Sequence, residues 1–233
     1  MRKTYSRAIR GALIGGGLAV VGDGMANAAE TSGADGLLSG DQAIISVDLP
    51  VTVGGNAVSL IGDSHSSDAT TSAPASGGSG DVVTDGGDSL LGGNQGVVSV
   101  DVPVTVSGNA VSVIGDSHSE DASTSGPASG GSGSGDVVTD GSDSVGGGNQ
   151  VEAPVSAPVT IGGNSVSVIG DSTTTDANTT GPASGSSGDV VSAGTDSLGG
   201  GNQAVLPVTV PVPIGGEARS RMGASPTAES HPP

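Results

Sequence analysis

The chain has 233 residues, among them 44 glycines and no cysteine, tryptophan or phenylalanine, and its 24 acidic and six basic residues give a net charge of −18. The absence of cysteine excludes a disulfide framework and thiolate–metal chemistry, and the missing aromatics remove the side chains that usually dominate a core. The basic residues sit only near the ends, at Arg2, Lys3, Arg7, Arg10, Arg219 and Arg221, so nucleic acid is not an expected partner.

The N-terminus reads as an export signal over 1–28. Arg2, Lys3, Arg7 and Arg10 form a basic region, Gly11–Val21 is a short apolar run, and Ala26-Asn27-Ala28 is a small-residue cleavage site. Cleavage between Ala28 and Ala29 is expected. The apolar run is about 11 residues, well short of the roughly 20 that a spanning helix requires. Loss of residues 1–28 removes four basic residues and Asp23, leaving two basic against 23 acidic residues and a net charge of −21. No membrane span is expected afterwards. "LPVTV" at 206–210 lacks the glycine and apolar tail of a sortase signal, so covalent wall anchoring is not expected.

After an acidic segment at 29–43, a module begins and recurs three times. "PVTVGGNAVSLIGDS" at 50–64 returns as "PVTVSGNAVSVIGDS" at 103–117 and "PVTIGGNSVSVIGDS" at 158–172. Asn56, Asn109 and Asn164 lie 53 and 55 residues apart, as do the Gly-Gly-Asn-Gln elements at Asn94, Asn149 and Asn202. In the first copy Val51, Val53, Val58 and Leu60 alternate with Thr52 and Ser59. A Gly55-Asn56 turn predicts a two-residue hairpin that pairs Val53 with Val58, Thr52 with Ser59 and Val51 with Leu60. One face is then aliphatic and buried, the other hydroxylated. About six aliphatic side chains cannot offset the ordering of about 15 residues, so a lone module needs partners.

The expected fold is therefore mostly β with extensive disorder: three short hairpin modules at 44–63, 97–116 and 151–171. Flexible Gly/Ser/Asp-rich linkers at 64–96, 117–150 and 172–203 join them. A partial repeat at 204–218 and a disordered tail at 219–233 complete the chain.

Catalytic chemistry is not expected. Asp63-Ser64-His65 and Asp116-Ser117-His118 suggest a triad fragment, but the third copy reads Asp171-Ser172-Thr173, and nothing builds a pocket around a nucleophile. No cofactor is expected. Calcium is a weak candidate partner: "GGSGDVVTDGGD" at 77–88 offers Asp81, Asp85 and Asp88 as hard oxygen ligands, yet the third copy has Ala193 and Asp196 in place of the last two.

The repeated segment resembles the first half of the chaplin motif, found in surface-active, amyloid-forming proteins of actinobacteria that raise aerial hyphae. Pro103, Val104, Val106, Gly108, Asn109, Val111, Val113, Ile114 and Gly115 match that motif position by position. The family cysteine position holds Gly54, Ser107 and Gly162, and the apolar continuation is replaced by "GDS" and a polar tract. The resemblance covers about a fifth of the chain and implies an exported cell-surface protein whose β segments self-associate. "VSVIG" is short, β-prone, uncharged and free of proline, as a cross-β segment should be, and Asp63, Asp116 and Asp171 follow it as charged gatekeepers.

The candidate self-assembly residues are Val51, Val53, Gly55, Asn56, Val58, Leu60 and Ile61 in the first copy. The second copy supplies Val104, Val106, Gly108, Asn109, Val111, Val113 and Ile114, and the third Val159, Ile161, Gly163, Asn164, Val166, Val168 and Ile169. The expected function is that of a secreted structural protein, held non-covalently at the cell surface or wall, that coats it through self-association. Its expected partners are other copies and cell-surface components or interfaces. The alternatives are an extended repetitive adhesin or stalk, and a Ca2+-stabilised repeat protein.

Overall fold

The computed structural model describes residues 18–22, 29–33, 35–38, 40–73, 80–126, 135–181 and 188–228. The described residues hold 25 strands and no helix, so none of their elements is a helix long and apolar enough to cross a membrane. A first turn of the chain runs through β3 (Gln42–Asp48), β4 (Val51–Gly54), β5 (Ala57–Ile61), β6 (Ser64–Ser67), β7 (Thr70–Ser72) and β8 (Val82–Asp85). The second turn repeats it as β9 (Gln95–Asp101), β10 (Val104–Ser107), β11 (Ala110–Ile114), β12 (Ser117–Glu120), β13 (Ser123–Ser125) and β14 (Val137–Asp140). The third comprises β15 (Gln150–Ser156), β16 (Val159–Gly162), β17 (Ser165–Ile169), β18 (Ser172–Thr175), β19 (Asn178–Thr180) and β20 (Val190–Ala193). Two incomplete turns flank these: β1 (Leu18–Gly22) with β2 (Ala29–Ser32) before, and β21 (Gln203–Val205), β22 (Val208–Thr209), β23 (Val212–Gly215), β24 (Ala218–Met222) and β25 (Thr227–Ala228) after.

Every pairing between these strands is parallel and joins equivalent strands of successive turns. The six sheets run β1-β3-β9-β15-β21 with β22 also on β15, β4-β10-β16-β23, β5-β11-β17-β24, β6-β12-β18-β25, β7-β13-β19 and β2-β8-β14-β20. The molecule is a parallel β-solenoid with turns of 53 and 55 residues. The two extra residues fall between β13 and β14, where no strand is displaced: Ser125 pairs with Ser72, 53 residues away, and Val137 with Val82, 55 away.

This architecture overturns the hairpin expectation. Val51, Val53 and Val58 pair with Val104, Val106 and Val111 rather than with Leu60, Val58 and Val53. Gly55 does adopt a positive φ, +59°, but it turns a corner between two sheets instead of closing a hairpin. The physical reason is the repeat itself. A hairpin gives each strand one partner, whereas stacking gives every strand of the middle turn two, with like side chains matched along the whole register. Nor are the segments between modules simple flexible linkers, since β6–β8, β12–β14 and β18–β20 lie within them. Residues 74–79, 127–134 and 182–187 of those tracts lie outside the described residues, as do the basic start of the export signal, Ala28 and the last residues of the tail.

The corners are built from residues that tolerate positive φ. Gly108 has φ +66°, and a Cβ there would lie 2.7 Å from the Cβ of Ala122 on the opposite wall. Asp68, Asp121 and Asp176 occupy left-handed conformations at equivalent corners, with φ of 51°, 50° and 51°.

The interior is narrow and mostly hydroxylated. Thr105, Ser107, Ser112, Ser119 and Thr124 of the second turn are buried, as are Thr160, Ser165, Ser167, Thr174 and Thr179 of the third. Many of these hydroxyls donate across the interior: Ser119 Oγ to Gly108 O at 2.6 Å, Ser117 Oγ to Val166 O at 2.7 Å, and Ser167 Oγ to Gly115 O at 2.8 Å. One small apolar cluster, Ile44, Val82, Val97 and Val137 with Ala29 and Val190 against it, lies between the sheets of β3/β9 and β8/β14. Beside it Gln150 Nε2 donates to Gln95 Oε1 at 3.1 Å, and Thr139 Oγ1 donates to the same oxygen at 2.6 Å.

Candidate functional site: an exposed aliphatic face

Because the interior takes Thr, Ser, Ala and Gly, strand alternation sends the larger aliphatics outward. In β10 Thr105 and Ser107 are buried while Val104 and Val106 face out, and in β11 Ala110 and Ser112 are buried while Val113 and Ile114 are exposed. The expected burial is therefore inverted: the hydroxylated face is the core and the aliphatic face is the surface. The alternation itself was legible in the sequence, but its direction was not. A two-stranded unit must bury its aliphatics, whereas in this closed tube the face turned inward has room only for small side chains.

The outward residues stack into columns across the turns. One runs Val51, Val104, Val159 and Val212, and a second Val53, Val106, Ile161 and Ile214. A third runs Val58, Val111, Val166 and Arg219, and a fourth Ile61, Ile114, Ile169 and Met222. Leu60, Val113 and Val168 are exposed alongside them. Exposure is greatest in the first turn, where Val58 is 80% and Ile61 78% accessible, against 48% for Ile114 and 45% for Ile169. Apolar surface gathered into contiguous columns marks an interaction site, unlike the scattered apolar residues of an ordinary surface.

The candidate corner residues form the spine of this face. Asn109 Nδ2 donates to Asn56 Oδ1 at 2.7 Å, Asn164 Nδ2 donates to Asn109 Oδ1 at 2.9 Å, and the Glu217 N–H donates to Asn164 Oδ1 at 3.2 Å. Gly55, Gly108 and Gly163 precede these asparagines with φ between 59° and 66°. A second amide ladder runs through Asn94, Asn149 and Asn202, with Nδ2–Oδ1 distances of 2.9 and 2.8 Å and Asp41 as its first acceptor at 3.0 Å. The shared 53/55 spacing of both asparagine sets was the signal that they stack. In-register asparagine ladders are a recurring feature of cross-β assemblies.

The aspartates after "VSVIG" do more than guard the segment. Asp63 Oδ1 accepts the Asp116 N–H at 2.9 Å, Asp116 Oδ1 accepts the Asp171 N–H at 2.8 Å, and Asp171 Oδ1 accepts the Ala224 N–H at 2.8 Å. Each side chain thus ties one turn to the next. Ser64 is buried and donates to Ser117 Oγ at 3.2 Å, while His65 is exposed on the other face of β6 and stacks on His118 with ring centroids 5.0 Å apart. Serine and histidine therefore point to opposite sides of the strand. Asp85 and Asp140 stack in one register with Ala193, and no group of three or more metal-ligating side chains occurs among the described residues.

Residues 18–73 match the ChpA-C family model. That match indicates a chaplin-related domain, and it spans β1 through β7, including the first copy of the repeated segment. No curated protein and no solved structure matches the chain. The chaplin-related stretch holds the most exposed part of the aliphatic face, from Val51 to Ile61.

Proposed function

We propose that this chain is a secreted chaplin-like structural protein that coats or decorates the cell surface through β-mediated self-association. One observation carries the reading: four columns of aliphatic side chains face outward from in-register parallel sheets with no covering layer among the described residues. Water at such a surface is released on contact with an air–water interface, a waxy wall or a second copy, which gives the face its affinity for any of them. The closed solenoid holds the columns in place without cysteine or aromatic residues, because backbone ladders and amide stacks set the geometry. Export places the face outside the cell, and the sequence features behind that expectation are the basic start, the apolar run and the cleavage site.

The test is direct. The protein is spread at an air–water interface while surface tension and thioflavin fluorescence are recorded. Lowered tension with a rise in fluorescence is expected, and no change in either at neutral or acidic pH overturns the reading.

A further inference from the structure

The two ends of the solenoid are incomplete in complementary ways. At the C-terminal end β21–β25 supply strands to the first four sheets, with no β8-equivalent among the described residues. At the N-terminal end β2 is such a strand, paired beneath β8, while β4, β5, β6 and β7 are outermost in their sheets. Placed end to end, the last turn of one molecule and β2 of the next make up one shared turn. Among the described residues the lone obstruction is β1, which occupies the outer edge of β3.

We propose that the chain polymerises head to tail through these ends, with β21–β25 of one copy docking on the first turn of the next, and that strand 18–22 plugs the site until the leader is cut. This rests on the self-association reading above and names its interface and its trigger. Cleavage after Ala28 removes β1 yet leaves β2 intact, since Ala29 is its first residue and its N–H bonds to Asp81 O at 2.9 Å. The freed edge of β3 then takes β21 and β22 of the lower copy, in the register those strands already keep on β15.

The side chains at the joint fit in chemistry and charge. Val51 and Val53 meet Val212 and Ile214, continuing two aliphatic columns. The acidic columns end on neutral residues: Ala224 succeeds Asp171 and meets Asp63, and Thr209 succeeds Ser156 and meets Asp48. Like charges therefore do not face one another across the joint. Glu217 tops the first amide ladder and offers its carboxylate to the N–H and Nδ2 of Asn56 in the next copy, as each lower asparagine does within the chain. Arg219 and Arg221, the one basic pair among the described residues, lie on β24 at this end, while Asp41, Asp48, Asp63 and Asp68 lie on the first turn. Such a contact is heterologous and does not close on itself, so it yields open filaments.

The chain lacks cysteine, which allows an unambiguous cross-link. Val58 and Arg219 occupy the two ends of one outward column and cannot meet within a molecule. Head-to-tail docking brings them to adjacent-strand spacing, about 4.8 Å, within disulfide range. A chain beginning at Ala29 with Val58→Cys and Arg219→Cys is oxidised and run on a non-reducing gel, beside each single variant and the same pair in the full chain. A second pair, Ile61→Cys with Met222→Cys, repeats the measurement in a different column.

A reducible ladder of multimers is expected from both pairs in the cleaved chain, no ladder from the single variants, and loss of the ladder in the full chain. Equal ladders in full and cleaved chains overturn the plug. Absence of ladders from both pairs while thioflavin and sedimentation report assembly overturns the head-to-tail joint and leaves the self-association reading standing. Absence of assembly by every readout removes both.

Discussion

At the scale of single residues, Asn109 makes the repeat a structure. Its Nδ2 donates to Asn56 Oδ1 and to Ser107 O, and its Oδ1 accepts from the N–H and Nδ2 of Asn164. Asn109→Ala removes both halves of that exchange and is expected to cost about 1–3 kcal/mol in denaturant unfolding. Asn202→Ala, at the exposed end of the other ladder, should cost about 1 kcal/mol or less. The interior hydroxyls give a second contrast. Thr105 Oγ1 is buried without a hydrogen-bond partner, whereas Thr139 Oγ1 donates to Gln95. Thr105→Val should leave the melting temperature unchanged or raise it, and Thr139→Val should lower stability by about 1 kcal/mol or more.

At the scale of elements, the decisive feature is which face of each strand turns inward. Replacing Val58, Val111 and Val166 together by threonine keeps the β-branched shape that suits a strand and alters only an outward column. The triple variant is expected to keep its circular-dichroism spectrum and to stay within about 1 kcal/mol of the parent's stability, because surface positions contribute little. It should nonetheless lose much of its effect on surface tension. A hairpin with a buried aliphatic face would instead unfold. The corners are sensitive in the opposite way. Gly108→Ala combines positive φ with a clash against Ala122 and should destabilise by more than about 1 kcal/mol, with partial rescue by Ala122→Gly in a double-mutant cycle. Gly96 lies within β9 and carries no positive φ, and a methyl group added there would meet no atom within 4 Å, so Gly96→Ala should be neutral or stabilising.

At the scale of the whole molecule, stability is carried from turn to turn rather than by one central core. Strands of the middle turn have partners on both sides, whereas β4–β7 have one. Hydrogen exchange should therefore be slowest in β9–β14 and fastest in the terminal turns, a gradient readable by mass spectrometry. The net charge of −18 makes copies repel one another over distance. Raising monovalent salt to about 0.15 M shortens the screening length to about 8 Å and should speed assembly followed by thioflavin fluorescence.

The sequence by itself determined the repeat, the mostly β character, the alternation of aliphatic and hydroxylated positions, and the positive φ at Gly55. These follow from spacing and local sterics, which a chain carries at any distance from its partners. Strand partnership, and with it the inside and outside of the molecule, was decided only by tertiary structure. The pairs Val53–Val58 and Val53–Val106 satisfy the same alternation, and the choice between them depends on how many partners each strand gains when all turns stack. Stacking completes the backbone ladders of the middle turn and aligns Asn56 with Asn109 and Asn164. The tube it closes is too narrow for valine and isoleucine along β10 and β11, so Thr105 and Ser112 line the interior and the aliphatic columns remain on the surface.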